Sequence, residues 1–447
     1  MSDSALGRAQ DLLDDPIVTI STPRGRGAIG IVRISGSATQ VEALLRGCVG
    51  DTSRLNDRQL ALCSVRMGGE LVDRGLVVWF RGPRTYTGED VAELHLHGNP
   101  AILERVLQGL IEAGARAAGP GEFTRRAVLR GRLSLLDAEA IDALVRAPGA
   151  AAARVAGRQL GGELTGQLEA WREQLLVVAV ALEAAVDFPE EVEDAEIRGD
   201  LARIGDLRAS MAQLAGTARA GRRLLGGVRV VLTGPVNAGK STLFNALLGH
   251  DRAIVSSSPG TTRDLVSESV EWDGVVYRLE DTAGLRDALD PVEVEGVSRS
   301  GRAVEAADVV VQVRDARSIG GELPGLSVAT HADLLDDSAI AALSASGWLP
   351  VSAPEGLGLD AVRDAVRSAA GVADALSGDL VLHTVRQAGA LELAVAALDD
   401  ALRSGADEIV LSAVAVRRAG RALEELVGAW PEERVLDDLF SRFCIGK

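Results

Sequence analysis

The chain has 447 residues, 47% of them apolar and 25% charged, with a formal net charge of −17 at pH 7. At roughly 150 residues per domain this length suggests about three domains with real cores and excludes a wholly disordered chain, while the acidic balance excludes a protein that coats nucleic acid with its whole surface. Three cysteines at unrelated spacings argue for a reducing compartment; with no basic segment leading into an apolar stretch at the N-terminus, and no apolar run longer than Leu175 to Leu182, the sequence predicts a soluble, cytoplasmic protein with no membrane span.

From Ile17 to about Ala127, β-branched runs (Ile17 to Ile20, Ala28 to Ile34, Gly75 to Phe80, Ala92 to Leu96) predict strands, and Ala101 to Ala113 has helical spacing. This is an α+β pattern. Gly25-Arg-Gly27-Ala-Ile-Gly30 is formally G-x-G-x-x-G, yet Gly30 to Ser35 is β-branched where a dinucleotide site needs a helix, so a loop between strands is expected. His95 and His97 fall on one face of a strand with no third ligand evident, which favours structural histidines over a metal site.

From about Leu129 to Arg223 the chain is rich in Ala, Leu, Glu and Arg with apolar residues three and four apart, a long helical region. Between Gly227 and about Ala375, runs at Arg229 to Leu232, Val275 to Leu279, Val309 to Val313, Ser327 to Ala329 and Leu349 to Val351 alternate with helical stretches, as in a doubly wound α/β sheet. Helical character returns at Val381 to Leu402 and Ile409 to Leu426. The expected division is an N-terminal α+β domain (1–128), a helical domain in two parts (129–223 and 377–447), and an α/β domain (224–376) inserted between them.

Only two of the basic residues are lysine, Lys240 and Lys447; the other 45 are arginine. Coding bias explains an excess of arginine but does not choose which lysines remain, and a site needing a compact ammonium cannot take a planar guanidinium. Lys240 completes Gly234-Pro-Val-Asn-Ala-Gly239-Lys240-Ser241, a G-x-x-x-x-G-K-[ST] loop between an apolar run and a helical stretch. Backbone amides there cradle phosphates, Lys240 reaches the β/γ oxygens and Ser241 binds Mg²⁺. Gly260-Thr-Thr-Arg-Asp264 and Asp281-Thr-Ala-Gly284 follow in the order of a GTPase switch machine, the first closing a threonine over the metal and the second offering Asp281 to its shell.

For the base, the expected N-K-x-D stands as Thr330-His331-Ala332-Asp333, which keeps the aspartate that pairs with guanine N1 and N2 but loses the asparagine amide and the lysine stem; Val351-Ser352-Ala353 matches the remaining guanine loop. The motifs place nucleotide contacts at Asn237, Ala238, Gly239, Lys240, Ser241, Thr242, Gly260, Thr261, Thr262, Asp281, Thr282, Ala283, Gly284, Asp333, Ser352 and Ala353. Leu285 cannot orient a water molecule as glutamine would, so the catalytic group comes from elsewhere, and Asp287, Asp290, Glu293 and Glu295 all stand nearby. Asn237 offers a neutral oxygen suited to a monovalent cation or serves as a turn residue. Cys444, beside Lys447, is either a small buried hydrophobe or a reactive thiolate.

Together the motifs resemble the MnmE/TrmE family of tRNA-modifying GTPases over essentially the full length. The resemblance rests on Thr22-Pro23-Arg24-Gly25-Arg26-Gly27-Ala28-Ile29-Gly30-Ile31-Val32-Arg33-Ile34-Ser35-Gly36, on Tyr86-Thr87-Gly88-Glu89-Asp90, on Pro120-Gly121-Glu122-Phe123-Thr124, on Asp187-Phe188-Pro189 and on the terminal Phe443-Cys444-Ile445-Gly446-Lys447. It implies an N-terminal folate-binding domain that dimerises, a discontinuous helical domain and an inserted Ras-like P-loop GTPase domain. It further implies a homodimer that joins an FAD-bearing MnmG/GidA-type partner, as a heterotetramer, to modify carbon 5 of the wobble uridine of tRNA with a one-carbon unit from a 5-formyl or methylene tetrahydrofolate. The resemblance assigns folate contacts to Arg33, Glu93, Arg132 and Lys447, Mg²⁺ to Ser241 and Thr262, and the activating K⁺ to Asn237, Ser256, Ser258 and Thr261, and it extends the nucleotide contacts to Ser256, Ser257, Ser258 and Pro259. It also selects Glu293 as the water-orienting residue and Cys444 as a participant in the modification chemistry. Arg132 stands where the family commonly has lysine, and Thr330-His331 leaves guanine selectivity resting largely on Asp333. A GTP-controlled ribosome-assembly factor is the alternative; it predicts an RNA-binding appendage, and no basic G-x-x-G module or zinc knuckle is visible.

Overall fold

The computed structural model describes residues 15–188, 190–249, 267–281, 302–319, 325–376, 380–427, 433–441, 443, 444 and 446. Its contacts divide into two compact units, Met1–Asp142 with Glu424–Lys447, and Ala143–Leu423. Among the described residues no helix is long and apolar enough to cross a membrane.

The first unit is built on a six-stranded sheet in the order β3-β4-β5-β2-β1-β6, formed by β1 (Ile17–Ile20), β2 (Ile29–Gly36), β3 (Ala61–Met67), β4 (Glu70–Phe80), β5 (Asp90–His97) and β6 (Arg116–Ala117). Alternation fixes its two faces: Val32, Ile34, Leu94 and Leu96 enter the core, while Arg33, Glu93 and His95 turn to the other side. Helix Pro100–Glu112 closes the core with Leu103, Val106 and Leu110; Asn99 caps its start and Pro100 occupies a first-turn position where no N–H is needed. Helix Ala38–Val49 packs on the same core through Val41, Leu44 and Leu45. Gly30 opens onto strand β2 and not a helix, as its β-branched neighbours require.

On the opposite face, helix Glu122–Leu129 brings Phe123 against Ile17 and Ala118. A buried charge network fastens that helix. Glu89 accepts hydrogen bonds from Ser35 at 2.7 Å, Arg126 at 3.0 Å and Arg130 at 2.6 Å, and Arg126 is 1% exposed. Gly121 precedes the helix at φ 63°, and a Cβ there would lie 2.7 Å from Phe443, so only glycine admits the terminal segment so closely.

In the second unit the strands run β12-β11-β10-β7-β9-β8, namely β7 (Val228–Thr233), β8 (Ser267–Trp272), β9 (Val275–Asp281), β10 (Val309–Asp315), β11 (Leu326–Thr330) and β12 (Trp348–Pro350). All pairs are parallel except β8 with β9. Near-continuous valine and leucine runs (Val228, Val230, Leu232; Val309, Val311, Val313) are buried, as a sheet covered on both faces demands. Long helices Glu163–Asp187, Asp194–Gly216 and Val385–Ser404 bury Leu168, Leu175, Ile204, Met211, Leu391 and Leu398, with Arg208 and Asp399 paired at 2.8 Å. Arg223 ties this helical part to the sheet: it donates to Asp308, just before β10, at 2.9 Å and to the Ala370 carbonyl at 2.7 Å.

Candidate functional site

Strand β7 lies centrally between β9 and β10, and the chain leaves its C-terminal end as the loop 234–239 before helix Lys240–Leu248. Open α/β sheets place ligands at such an end. Gly234 is essential to the turn, with φ 151° and the Val313 carbonyl 2.0 Å from where a Cβ would sit. Asn237 takes a left-handed conformation at φ 61° and is exposed, which directs the chain over the helix N-terminus. Ala238 is buried, Thr242 is exposed in the first helical turn, and the Lys240 ammonium folds back to donate to the carbonyls of Gly234 at 3.0 Å and Pro235 at 2.7 Å. Strand register sets Leu232 beside Asp281, and Ser241 donates to the Asp281 carboxylate at 2.6 Å. A hydroxyl and a carboxylate in contact at the mouth of a phosphate loop are hard oxygen donors fitted to Mg²⁺.

The base loops also meet. Asp315 and Thr330 end adjacent strands in register, and the Ala332 amide donates to the Val351 carbonyl at 3.1 Å. Asp333 is exposed in a short 3₁₀ turn, Ala353 is half-buried, and Ser352 is fully buried with a hydroxyl that has no hydrogen-bond partner among the described residues. His331, at φ 59°, sets Nδ1 3.3 Å from the Asp315 carboxylate. Hydrogen bonds from Arg317 hold that carboxyl well below the usual range, with His331 adding to the effect.

In the first unit, β2 and β5 pair Arg33 directly with Glu93, and the guanidinium meets the carboxylate at 2.8 Å. Arg33 also donates to the Gly446 carbonyl at 3.3 Å and lies 5.8 Å from the Phe123 ring centre. Burial alone would raise the Glu93 pKa, but the hydrogen bond from His95 and the charge and hydrogen bond of Arg33 bring it below the ordinary value. Tyr86 bonds Thr124 at 2.8 Å nearby, and burial pushes its phenol up. Arg132 is exposed and packs its stem on Gly88; among the described residues it makes no ion pair with Glu93. Cys444 is exposed and free, and its carbonyl accepts from the Gly121 amide at 3.4 Å. His95 and His97 each face a carboxylate, Glu93 at 2.9 Å and Asp73 at 2.8 Å.

Glu293, Ser256, Ser257, Ser258, Pro259, Gly260, Thr261, Thr262, Thr282, Ala283, Gly284 and Lys447 lie outside the described residues. Sequence reasoning missed Tyr86, Phe123 and the Glu89–Arg126–Arg130 network as parts of the first site. The Y-T-G-E-D and P-G-E-F-T segments carried the signal, since an acid set among small polar residues and aromatics is rarely buried unless it is paired.

Comparison with known proteins matches two family models, the TrmE N-terminus described as a GTP-binding protein over residues 16–132 and the MnmE helical domain over residues 135–444. The chain is 44% identical over 437 residues to the tRNA modification GTPase MnmE of Methylobacterium radiotolerans, covering 95% of this chain and 97% of that protein. It is 42% identical over 447 residues to an MnmE of Thermus thermophilus, covering 97% and 100%. With the MnmE of Bordetella petrii the identity is 40% over 456 residues, covering 97% and 98%.

Proposed function

The chain belongs to the MnmE family of tRNA modification GTPases, and on that premise we propose that its GTP hydrolysis drives modification of carbon 5 of the wobble uridine of tRNA in the cytoplasm. The GTPase part of this reading is supported by one observation: Ser241 and Asp281 are in contact at 2.6 Å beside a loop whose own carbonyls receive the Lys240 ammonium. Ser241 and Asp281, with Thr262, would hold Mg²⁺, which would supply charge neutralisation to the phosphates. Lys240 exchanges its loop carbonyls for phosphate oxygens, and the amides at the start of helix Lys240–Leu248 orient them. Asp333 takes the N1 and N2 protons of guanine. Glu293 orients the attacking water, and Asn237 with Ser256, Ser258 and Thr261 would hold K⁺, which would supply the positive charge an arginine finger otherwise provides.

In the first unit, the Arg33–Glu93 pair beside Gly446 supports binding of the polar groups of a tetrahydrofolate, with Arg132 and Lys447 as further contacts. Cys444, exposed on the same terminal segment, is the thiol of the modification chemistry. The working assembly is a homodimer with an FAD-bearing MnmG/GidA-type partner, and the domain division is 1–128, 129–223, 224–376 and 377–447.

The test is nucleoside mass spectrometry of tRNA from a strain lacking the gene, complemented with the wild type or Cys444→Ser, together with hydrolysis rates in potassium and in sodium at equal ionic strength. We expect the wobble-uridine derivative to vanish in the deletion and in Cys444→Ser, and hydrolysis to be faster in potassium. An unchanged nucleoside profile in the deletion would favour the ribosome-assembly alternative, and equal rates in the two salts would remove the cation role of Asn237.

A further inference from the structure

The base loop departs from Asn-Lys-x-Asp at its first residue, and the structure accounts for the one proton that residue's side chain can donate. Thr330 is 3% exposed. Its Oγ1 lies 2.8 Å from the Ala238 carbonyl in the phosphate loop, 3.0 Å from the Arg314 carbonyl at the end of β10 and 3.3 Å from His331 Nδ1. Carbonyl oxygens only accept, and a threonine hydroxyl has one proton to give. Whichever carbonyl takes it, the proton is consumed inside the protein. An asparagine amide carries two protons, so it could hold the same carbonyl and still offer one to a ligand.

Beside Thr330, part of the charged donor capacity is also spent within the protein. Arg317 meets the Asp315 carboxylate with Nε at 2.9 Å and Nη2 at 2.5 Å, and His331 Nδ1 faces the same carboxylate. A guanine base presents N7 and O6 as acceptors on one edge, and the N1 and N2 protons on the other. Asp333, an acceptor when ionised, matches only the second edge.

We infer that this protein binds guanine nucleotide without a side-chain hydrogen bond to N7: Thr330 fastens the phosphate loop to the base loop, and the base is read through its Watson–Crick edge. Threonine at 330 thus keeps the structural half of the asparagine's work and gives up the ligand half. Selectivity for guanine over adenine is retained, because both purines carry N7 and only guanine offers the N1 and N2 protons. Affinity is what is lost. The inference rests on 330–333 being the base loop.

Calorimetric titration of the full-length protein with GDP and with 7-deaza-GDP, in which a C–H replaces N7, is the test. The wild type should bind the two within about twofold, and Thr330→Asn should bind GDP about 3–10-fold more tightly with 7-deaza-GDP unchanged, the range of one neutral hydrogen bond. A wild type that loses fivefold or more on 7-deaza-GDP would overturn the inference without any variant, and so would a folded Thr330→Asn that binds both nucleotides alike. Asp333→Asn separates this from the underlying reading. It should move preference from guanosine to xanthosine diphosphate, and unchanged guanine preference would show that the loop is not the base site at all.

Discussion

The phosphate loop and the Arg33 cluster are both polar clusters carried by an interior strand of a sheet, yet they are specified in opposite ways. The loop occupies eight consecutive residues, 234–241, and its work is done by backbone amides, one ammonium and one hydroxyl. The Arg33 cluster joins side chains and carbonyls separated by 60 residues (Glu93) and 413 residues (Gly446). A backbone cradle needs only glycines at set positions and a helix to follow, so it travels as a contiguous motif. A side-chain cluster needs strand register and an anchored terminal segment, so it depends on the whole unit being folded.

That contrast can be broken most severely at Glu89. Glu89→Ala leaves the 1% exposed Arg126 guanidinium without its principal partner, and a buried charge stripped of its counter-ion costs about 3–5 kcal/mol. Calorimetry should show a large fall in the melting temperature of the first unit and loss of reduced-folate binding, while GTP hydrolysis persists at temperatures where the second unit is folded. Loss of both activities together would mean the two sites do not depend separately on their own units.

Lys240→Ala is the mirror experiment. Removing a charge-assisted contact of about 1.5–3 kcal/mol or more slows hydrolysis on the order of 10²-fold, read by phosphate release, with titration by 5-formyltetrahydrofolate unaltered. A rate within fivefold of wild type would dislodge the lysine from its role. Next in size, Arg33→Ala should weaken reduced-folate binding about tenfold, roughly one charge-assisted hydrogen bond, and leave hydrolysis as it was; undiminished affinity by calorimetry would detach the cluster from folate.

The smallest effect is in acid. Glu93 has its pKa lowered from 4.5 in the folded protein, so its pairing adds stability above the unfolded pKa and loses it as pH falls through the folded value. The stability difference between wild type and Glu93→Gln should be flat from pH 7 down to about 5 and close progressively below about 4.5. A difference that closed near neutrality would contradict the direction of the shift.

How far each region was legible in the sequence follows the same logic. The parallel strands β7, β9, β10, β11 and β12 were all visible as short apolar runs, because strands buried on both faces need such runs. β3 and β8 were not. Ala61–Met67 and Ser267–Trp272 sit at sheet edges with polar residues on one side, and Ser-Glu-Ser-Val-Glu-Trp has too few apolar positions to stand out. Helix Ala38–Val49 was missed although Ser37 and Gln40 form a capping box, a signal carried by two residues. The helix expected from Val381 starts at Val385, because Thr384 caps it, and Val381 and Leu382 are buried ahead of it outside any helix or strand. Within the sites, Lys240, Ser241 and Asp281 were legible as one pattern, whereas the company of Arg33 was named only through family resemblance. Nothing local to Ile31-Val-Arg33-Ile says that Glu93, Phe123 and Gly446 will surround it.

The tight seat of Phe443 on Gly121 has a consequence for the order of synthesis. Residues 424–447 complete the first unit, yet a ribosome delivers them only after all of 143–423. At about 5–20 residues per second, tens of seconds separate emergence of the β-sheet from arrival of the segment that packs on it. Through that interval the apolar surface meant for Phe440 and Phe443 and the face of Arg33 meant for Gly446 are bare. A nascent chain stalled within 143–423 therefore displays an unfinished first unit, and its strands must hold together on the core that includes Val32, Leu94 and Leu103, without the terminal segment.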